Sequence, residues 1–240
     1  MDYRITTDGL LSQLRTQKAF VEEIVRKVTV NTTEMFRDPP IWISIRNDIL
    51  PKLAHKPVIR IWHAGCSTGQ EVYSMIILLS EMGLLNKVEL YATDLNTDAI
   101  EVAKKGIYKY KFNIGYLDNF DKVIRNDANN PLVVRDIPYQ KYFEIDDVND
   151  KLKIHDSLLK KPIFAKHDLV KDQNIFNVTF DLVMCRNVII YFNYSLQNKI
   201  FQLYHNNLCE GGYLMLGFHE SILGPFSAKY EKRGCYYLKK

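Results

Sequence analysis

Cysteine is scarce and scattered in this 240-residue sequence. Its four cysteines, Cys66, Cys185, Cys209 and Cys235, form no Cys-x-x-Cys pair, so neither a zinc site nor a disulfide framework is indicated. The six histidines show no metal-ligand spacing either, and any cofactor is expected to be organic, with no metal. Long apolar runs are missing: none reaches the ~20 residues that cross a bilayer, so no integral membrane segment is expected. The opening Met1-Asp2-Tyr3-Arg4 does not have the form of a secretory signal, and a cytoplasmic location is the expectation. Charge of one sign is not in excess. The formal net charge is +4, without the concentrated basic stripe of a dedicated nucleic-acid binder. A Gly-x-Gly-x-x-Gly fingerprint is also absent, which counts against an oxidoreductase built on a dinucleotide.

What remains has ordinary globular proportions, 47% hydrophobic and 25% charged, enough for one compact domain with a modest appendage. From Leu10 to Val28, the residues Leu11, Leu14, Val21, Val25 and Val28 recur at helical intervals, with Arg15, Lys18, Arg26 and Lys27 between them. This predicts an amphipathic helix or a broken pair. Asn31-Thr32-Thr33-Glu34 is rich in N-cap residues, and Pro39-Pro40 reads as a stop. A second helix is predicted through Trp42, Ile45 and Ile49, ending before Pro51.

From Pro57 the rhythm becomes that of alternating strands and helices. Predicted strands are Val58 to Ala64, Lys87 to Thr93, Ile163 to His167, Phe180 to Cys185 and Tyr213 to Leu216, the last after a turn at Gly211-Gly212. Predicted helices are Glu71 to Met82, Asp98 to Lys105 and Ser195 to Leu208. Tyr230 to Leu238 reads as a terminal strand pairing antiparallel. The order implies an α/β protein, a mostly parallel sheet with helices on both faces. An aromatic-rich stretch at about 107–161 interrupts it as an inserted subdomain, with a hairpin tip at Asp146 to Asp150. The domain reading is an N-terminal helical segment at 1–54 and a cofactor-binding domain at 55–240.

The chemistry gathers where the strands end. Gly65-Cys66-Ser67-Thr68-Gly69-Gln70-Glu71 joins the first core strand to its helix, the place where open α/β sheets bind ligands. Glu71 stands at the helix start, where a phosphate would otherwise bind, so a ligand bearing an ammonium or sulfonium suits the turn better. Complementing the helix dipole is the plainer role for Glu71. Asp94 ends the second strand, positioned to accept both hydroxyls of a ribose; the plainer role is an N-cap for the next helix. Asp168-Leu169 could line an adenine pocket or merely form a turn. Asn187, in Arg186-Asn187-Val188, offers donors and an acceptor at the same edge or holds a turn.

Four motifs in one order carry a resemblance: Thr33-Glu34-Met35-Phe36-Arg37-Asp38, then Ala64 to Ser74, then Ala92-Thr93-Asp94-Leu95, then Cys185-Arg186-Asn187-Val188-Ile189-Ile190-Tyr191-Phe192. Together they resemble the CheR-type chemotaxis receptor methyltransferases of bacteria, from about Val28 to the C-terminus, with a Rossmann-like class I methyltransferase fold. The resemblance implies that Asn31, Thr33, Arg37, Gly65, Glu71, Asp94, Asp168, Leu169, Asn187 and Val188 surround S-adenosyl-L-methionine, the product being S-adenosyl-L-homocysteine. It also implies that Arg37 and Tyr191 act at the transferred methyl. Without it, a surface ion pair for Arg37 and a packed core ring for Tyr191 would be the readings. The implied activity is methyl esterification of glutamates on a chemotaxis receptor or related signalling protein by a monomer. The alternative is a weak or inactive cofactor-binding regulatory module. Gln70, Val72 and Asp168 depart from the residues common in that family, and the N-terminal helical segment is shorter than usual there.

Overall fold

The computed structural model describes residues 6–28, 32–126 and 133–240. The N-terminal periodicity resolves into a broken pair. Thr6 caps α1 (Thr7–Thr16) by accepting the Gly9 amide at 3.2 Å, Gln17 turns extended, and α2 (Lys18–Val28) follows. Residues 32–34 cap no helix. Pro39 and Pro40, expected to end a segment, instead begin α3 (Pro39–Ser44), because the first helical amides have no intrahelical partner to lose. The helix also runs past Pro51. A π-turn at Ile45–Ile49 leads into α4 (Leu50–Leu53), with the Leu50 amide reaching back to the Ile45 carbonyl. That wider winding makes room for a proline ring that would clash inside a regular helix.

The chain then runs through β1 (Ile59–Ala64), α5 (Gln70–Glu81), β2 (Val88–Asp94), α6 (Thr97–Lys105), β3 (Ile107–Lys109), α7 (Tyr110–Phe120), β4 (Phe143–Asp146) and β5 (Lys151–Ile154). It continues through α8 (Asp156–Leu159), β6 (Pro162–Lys166), β7 (Phe180–Cys185), α9 (Tyr194–Asn207), β8 (Leu208–Leu216), β9 (Tyr230–Arg233) and β10 (Tyr236–Lys239). The main sheet has the order β6-β2-β1-β7-β8-β10-β9. Its first five strands are parallel, and β10 is antiparallel to both neighbours. The terminal segment, expected as one strand, is thus a hairpin turning at Gly234 (φ +58°). Gly211 and Gly212 lie inside β8 rather than before it, where its register with β7 shifts.

Period-two alternation divides the strands between two cores. Ile59 and Ile61 of β1, Leu182 and Met184 of β7, and Tyr213 and Met215 of β8 face one cluster. Trp62 and Ala64, Val183 and Cys185, and Leu214 and Leu216 face the other. Helix α5 is buried nearly all round, because residues of α3 and the π-turn join those of the strands in its cluster.

The insertion forms a three-stranded antiparallel sheet, β3-β5-β4. Its hairpin tip closes as expected: Asp146 accepts the Asn149 amide at 3.0 Å, and Asp150 takes the left-handed conformation (φ +52°). Glu81 fastens the insertion to the end of α5. Its 5% exposed carboxylate meets Arg135 at 2.9 Å and Lys141 at 2.7 Å and accepts the Tyr142 hydroxyl. Burial alone would raise the Glu81 pKa, but the bonds from Lys141 and Tyr142 outweigh it and hold the carboxyl below its usual range.

Gly69 (φ +89°) sets how closely α5 approaches α6, since a Cβ added there would lie 2.8 Å from the Cβ of Ala103. Gly69→Ala adds left-handed strain to overpacking and is expected to cost about 2–4 kcal/mol. Urea unfolding should show this as a lower midpoint with an unchanged slope.

Candidate active site

A cavity of about 450 Å³ opens at the carboxyl ends of the parallel strands, a size suited to a small organic ligand. Ten of the eleven residues singled out in the sequence line it; Asn31 lies outside the described residues. Thr33 and Arg37 come from the loop before α3, Gly65 and Glu71 from the β1–α5 turn, and Asp94 from the end of β2. Asp168 and Leu169 follow β6, and Asn187, Val188 and Tyr191 follow β7. Gly65 (φ +84°) is required here, because any Cβ would run into the stiff side chain of Val188.

Asp94 is not the cap of the next helix. Asn96 caps α6, accepting the amides of Asp98 at 3.0 Å and Ala99 at 3.2 Å. The Asp94 carboxylate accepts the Ser67 amide at 2.7 Å on one oxygen and the Asn96 amide at 2.8 Å on the other. Each oxygen retains acceptor capacity towards the cavity. Burial raises the Asp94 pKa, and the amides of Asn96, Ser67 and Leu95 oppose the rise without cancelling it. Asp168 both lines the cavity and shapes its own turn, accepting the amides of Val170 at 2.9 Å and Lys171 at 3.2 Å.

Glu71 holds a charge that is already engaged. His63 Nδ1 lies 2.8 Å from one carboxylate oxygen, and Arg186 donates to the other at 3.0 Å. Burial would raise the Glu71 pKa, but the His63 bond and the Arg186 charge reverse this and hold the group below its usual range. Arg186, whose side chain is 1% exposed, also donates to Asp38 at 2.7 Å and to the Arg37 carbonyl at 2.9 Å. One buried cation thereby joins the Arg37 loop, where Phe36 and Asp38 have positive φ, to the start of α5.

Glu220 does the equivalent for the opposite wall. Its carboxylate, in a residue 7% exposed, accepts four amides: Asn187 at 2.8 Å, Val188 at 2.9 Å, Ile190 at 3.3 Å and Gly217 at 2.6 Å. Asn187 takes the left-handed conformation (φ +57°) within this cradle. Sequence reasoning assigned Arg186, Glu220 and His63 no role. Nothing local marks them, because each finds its partners through the tertiary fold.

Arg37 and Tyr191 contradict their plainer readings. Among the described residues the Arg37 guanidinium has no hydrogen-bond or ion-pair partner. The Tyr191 ring is 59% exposed at the cavity's edge. His63 holds Glu71 through Nδ1, and His167, which lines the cavity, holds the Gln173 carbonyl through Nε2 at 2.9 Å; the second ring nitrogen of each is buried without a partner among the described residues. Among the described residues no three metal-ligating side chains cluster, and no helix is long and apolar enough to cross a membrane.

The donor set fits an adenosine without phosphates. Asp94 offers free acceptor capacity for vicinal hydroxyls, while Glu71 fills the helix N-terminus that a phosphate would need. Strand order, the antiparallel β10 and this cavity define a class I methyltransferase. The sequence matches the family described as "CheR methyltransferase, SAM binding domain" over residues 31–117 and 128–235, and the chain belongs to that family. It is 37% identical to the Cher3 protein of Pseudomonas putida over 230 residues, covering 95% of this chain and 78% of that one. It is 32% identical to a chemotaxis protein methyltransferase of Borreliella burgdorferi, covering 87% and 70%. With chemotaxis protein methyltransferase 1 of Vibrio cholerae the identity is 30%, covering 88% and 72%. The cofactor is S-adenosylmethionine, and the chain is a methyltransferase.

Arg186→Gln, which leaves buried Glu71 with His63 as its remaining partner and takes the ion pair from Asp38, is expected to cost about 3 kcal/mol, and less in a Glu71→Gln background. Glu71, with its pKa lowered by folding, contributes stability above the ordinary glutamate value of ~4.3 that is lost as pH falls through the lowered folded value. Glu71→Gln should therefore flatten stability against pH in that acid window, measured by urea titration at stepped pH.

Proposed function

We propose that the protein esterifies glutamate side chains of a chemotaxis receptor or related signalling protein, acting in the cytoplasm as a monomer. The observation that carries this reading is the Arg37 guanidinium, which borders the same cavity as exposed Tyr191 and has no partner among the described residues. A cation so disposed suits an incoming carboxylate, which it can hold by charge-assisted bonds. The chemotaxis methyltransferases among the relatives support the same acceptor class.

Bound S-adenosylmethionine supplies a methyl on a sulfonium sulfur, whose transfer to a carboxylate oxygen gives a methyl ester and leaves the neutral thioether of S-adenosylhomocysteine. In this reading Asp94 accepts the ribose hydroxyls, Asp168 and Leu169 border the adenine, and Glu71 lies towards the amino-acid end. Thr33, Gly65, Asn187 and Val188 form the remaining wall, and Asn31 belongs to the same set. A glutamate with a pKa of ~4.3 is already anionic at neutral pH. No general base is then needed. Arg37 orients the acceptor and Tyr191 bounds the methyl path; positioning of this kind can supply up to ~7–11 kcal/mol.

The direct test is transfer of tritiated methyl to membranes bearing methyl-accepting receptors, scored as base-labile methanol; no such methanol would overturn the proposal. Arg37→Ala and Tyr191→Phe should lower turnover far more than they lower affinity for S-adenosylhomocysteine. Asp94→Ala should weaken that affinity ~10–100-fold, the value of a charged acceptor, measured by calorimetry. Because burial raises the Asp94 pKa, wild-type affinity should begin to fall on acidification at a higher pH than for an ordinary aspartate.

A further inference from the structure

Large apolar side chains stand exposed on the two loops beside the cavity. After β7 these are Ile190 at 55%, Tyr191 at 59% and Tyr194 at 57%; after β8 they are Phe218 at 68% and Leu223 at 52%. The loops form one body, since Glu220 gathers amides from both and Gly224 packs against the Tyr194 ring. Exposed apolar side chains gathered on one body of the fold mark an interaction site. Its electrostatics are equally specific. Residues 188–198 contain no charged side chain, and the only acid in residues 216–228 is Glu220, which is turned inward onto backbone amides. The Arg37 guanidinium, without a partner among the described residues, lines the same cavity as Tyr191, which belongs to both rim and cavity.

We infer that the rim seats the segment of the acceptor protein that carries the target glutamate, covering apolar side chains beside that residue while Arg37 faces its carboxylate. The inference rests on the protein-carboxylate reading above. A segment with acidic and apolar groups meets a rim that has no exposed carboxylate to repel it, and the shared Tyr191 brings the apolar contact to the edge of the methyl path. The rim is thus an acceptor-binding surface distinct from the cofactor contacts, and truncating it should act on acceptor KM alone.

The test uses the full chain and the receptor-bearing membranes of the methanol assay. Phe218→Ser combined with Leu223→Ser should raise acceptor KM at least ~10-fold, with kcat, S-adenosylhomocysteine affinity and melting temperature close to wild type. Phe218→Tyr should behave as wild type, and Phe218→Glu should raise KM more than Phe218→Lys. An unchanged KM in the double variant would overturn the rim while leaving the carboxylate reading intact. So would a wild type that dimerises in sedimentation velocity through these residues while the variant is monomeric with wild-type KM. If kcat and cofactor affinity fell as KM rose, the loops would be structural and the inference wrong. If wild type released no base-labile methanol, the underlying reading would fall first and take the rim with it.

Discussion

Arg186 leaves the end of β7 and enters a space closed to water, where it meets the carboxylates of Glu71 and Asp38 and the carbonyl of Arg37. A lone guanidinium there would cost several kcal/mol in lost solvation, so its partners must come to it. Each belongs to a different commitment of the chain. Glu71 begins α5, Asp38 precedes α3 in a left-handed conformation, and Arg37 lies between the loop and the cavity. Satisfying one cation therefore fixes the distance between the sheet and the N-terminal helices, and with it one wall of the cavity. The ring of Trp42, 6.0 Å from the guanidinium, lies on the same cation and adds a cation–π attraction.

The parallel sheet was legible because its strands are short apolar runs separated by turn and helix signals, and such runs fold by local rules. Strand and helix limits around β1, α5, β2 and α6 differ from the sequence reading by no more than one residue at either end. Prolines were misread where context overrode them: Pro39 and Pro40 as helix openers, and Pro51 carried by a π-turn. The terminal strand became a hairpin because Gly234 is the one point where the chain can reverse there.

Within the site, Gly65, Glu71, Asp94, Asp168, Leu169 and Asn187 were visible because they stand at or just beyond strand ends, whereas Thr33, Arg37 and Tyr191 were indicated only by the family resemblance. Their supports were not visible. Arg186 and Glu71 lie 115 positions apart, and Glu220 lies 33 from Asn187, so no periodicity or motif spacing relates them. The sequence likewise gave no means to choose between Asp94 and Asn96 as the helix cap; only the fold, by turning Asp94 towards Ser67, separates the two.

Glu220 has a wider consequence. Because a single carboxylate gathers amides from the loops after β7 and β8, neither loop can be ordered without ordering the other. Whatever restrains Phe218 from outside also restrains Val188 against the nucleoside wall, and thermodynamic linkage makes the effect mutual. Loading of the donor and capture of the acceptor then meet in one body of the fold through its backbone amides, while exposed side chains such as Phe218 and Leu223, which take no part in that cradle, bear on the acceptor by themselves.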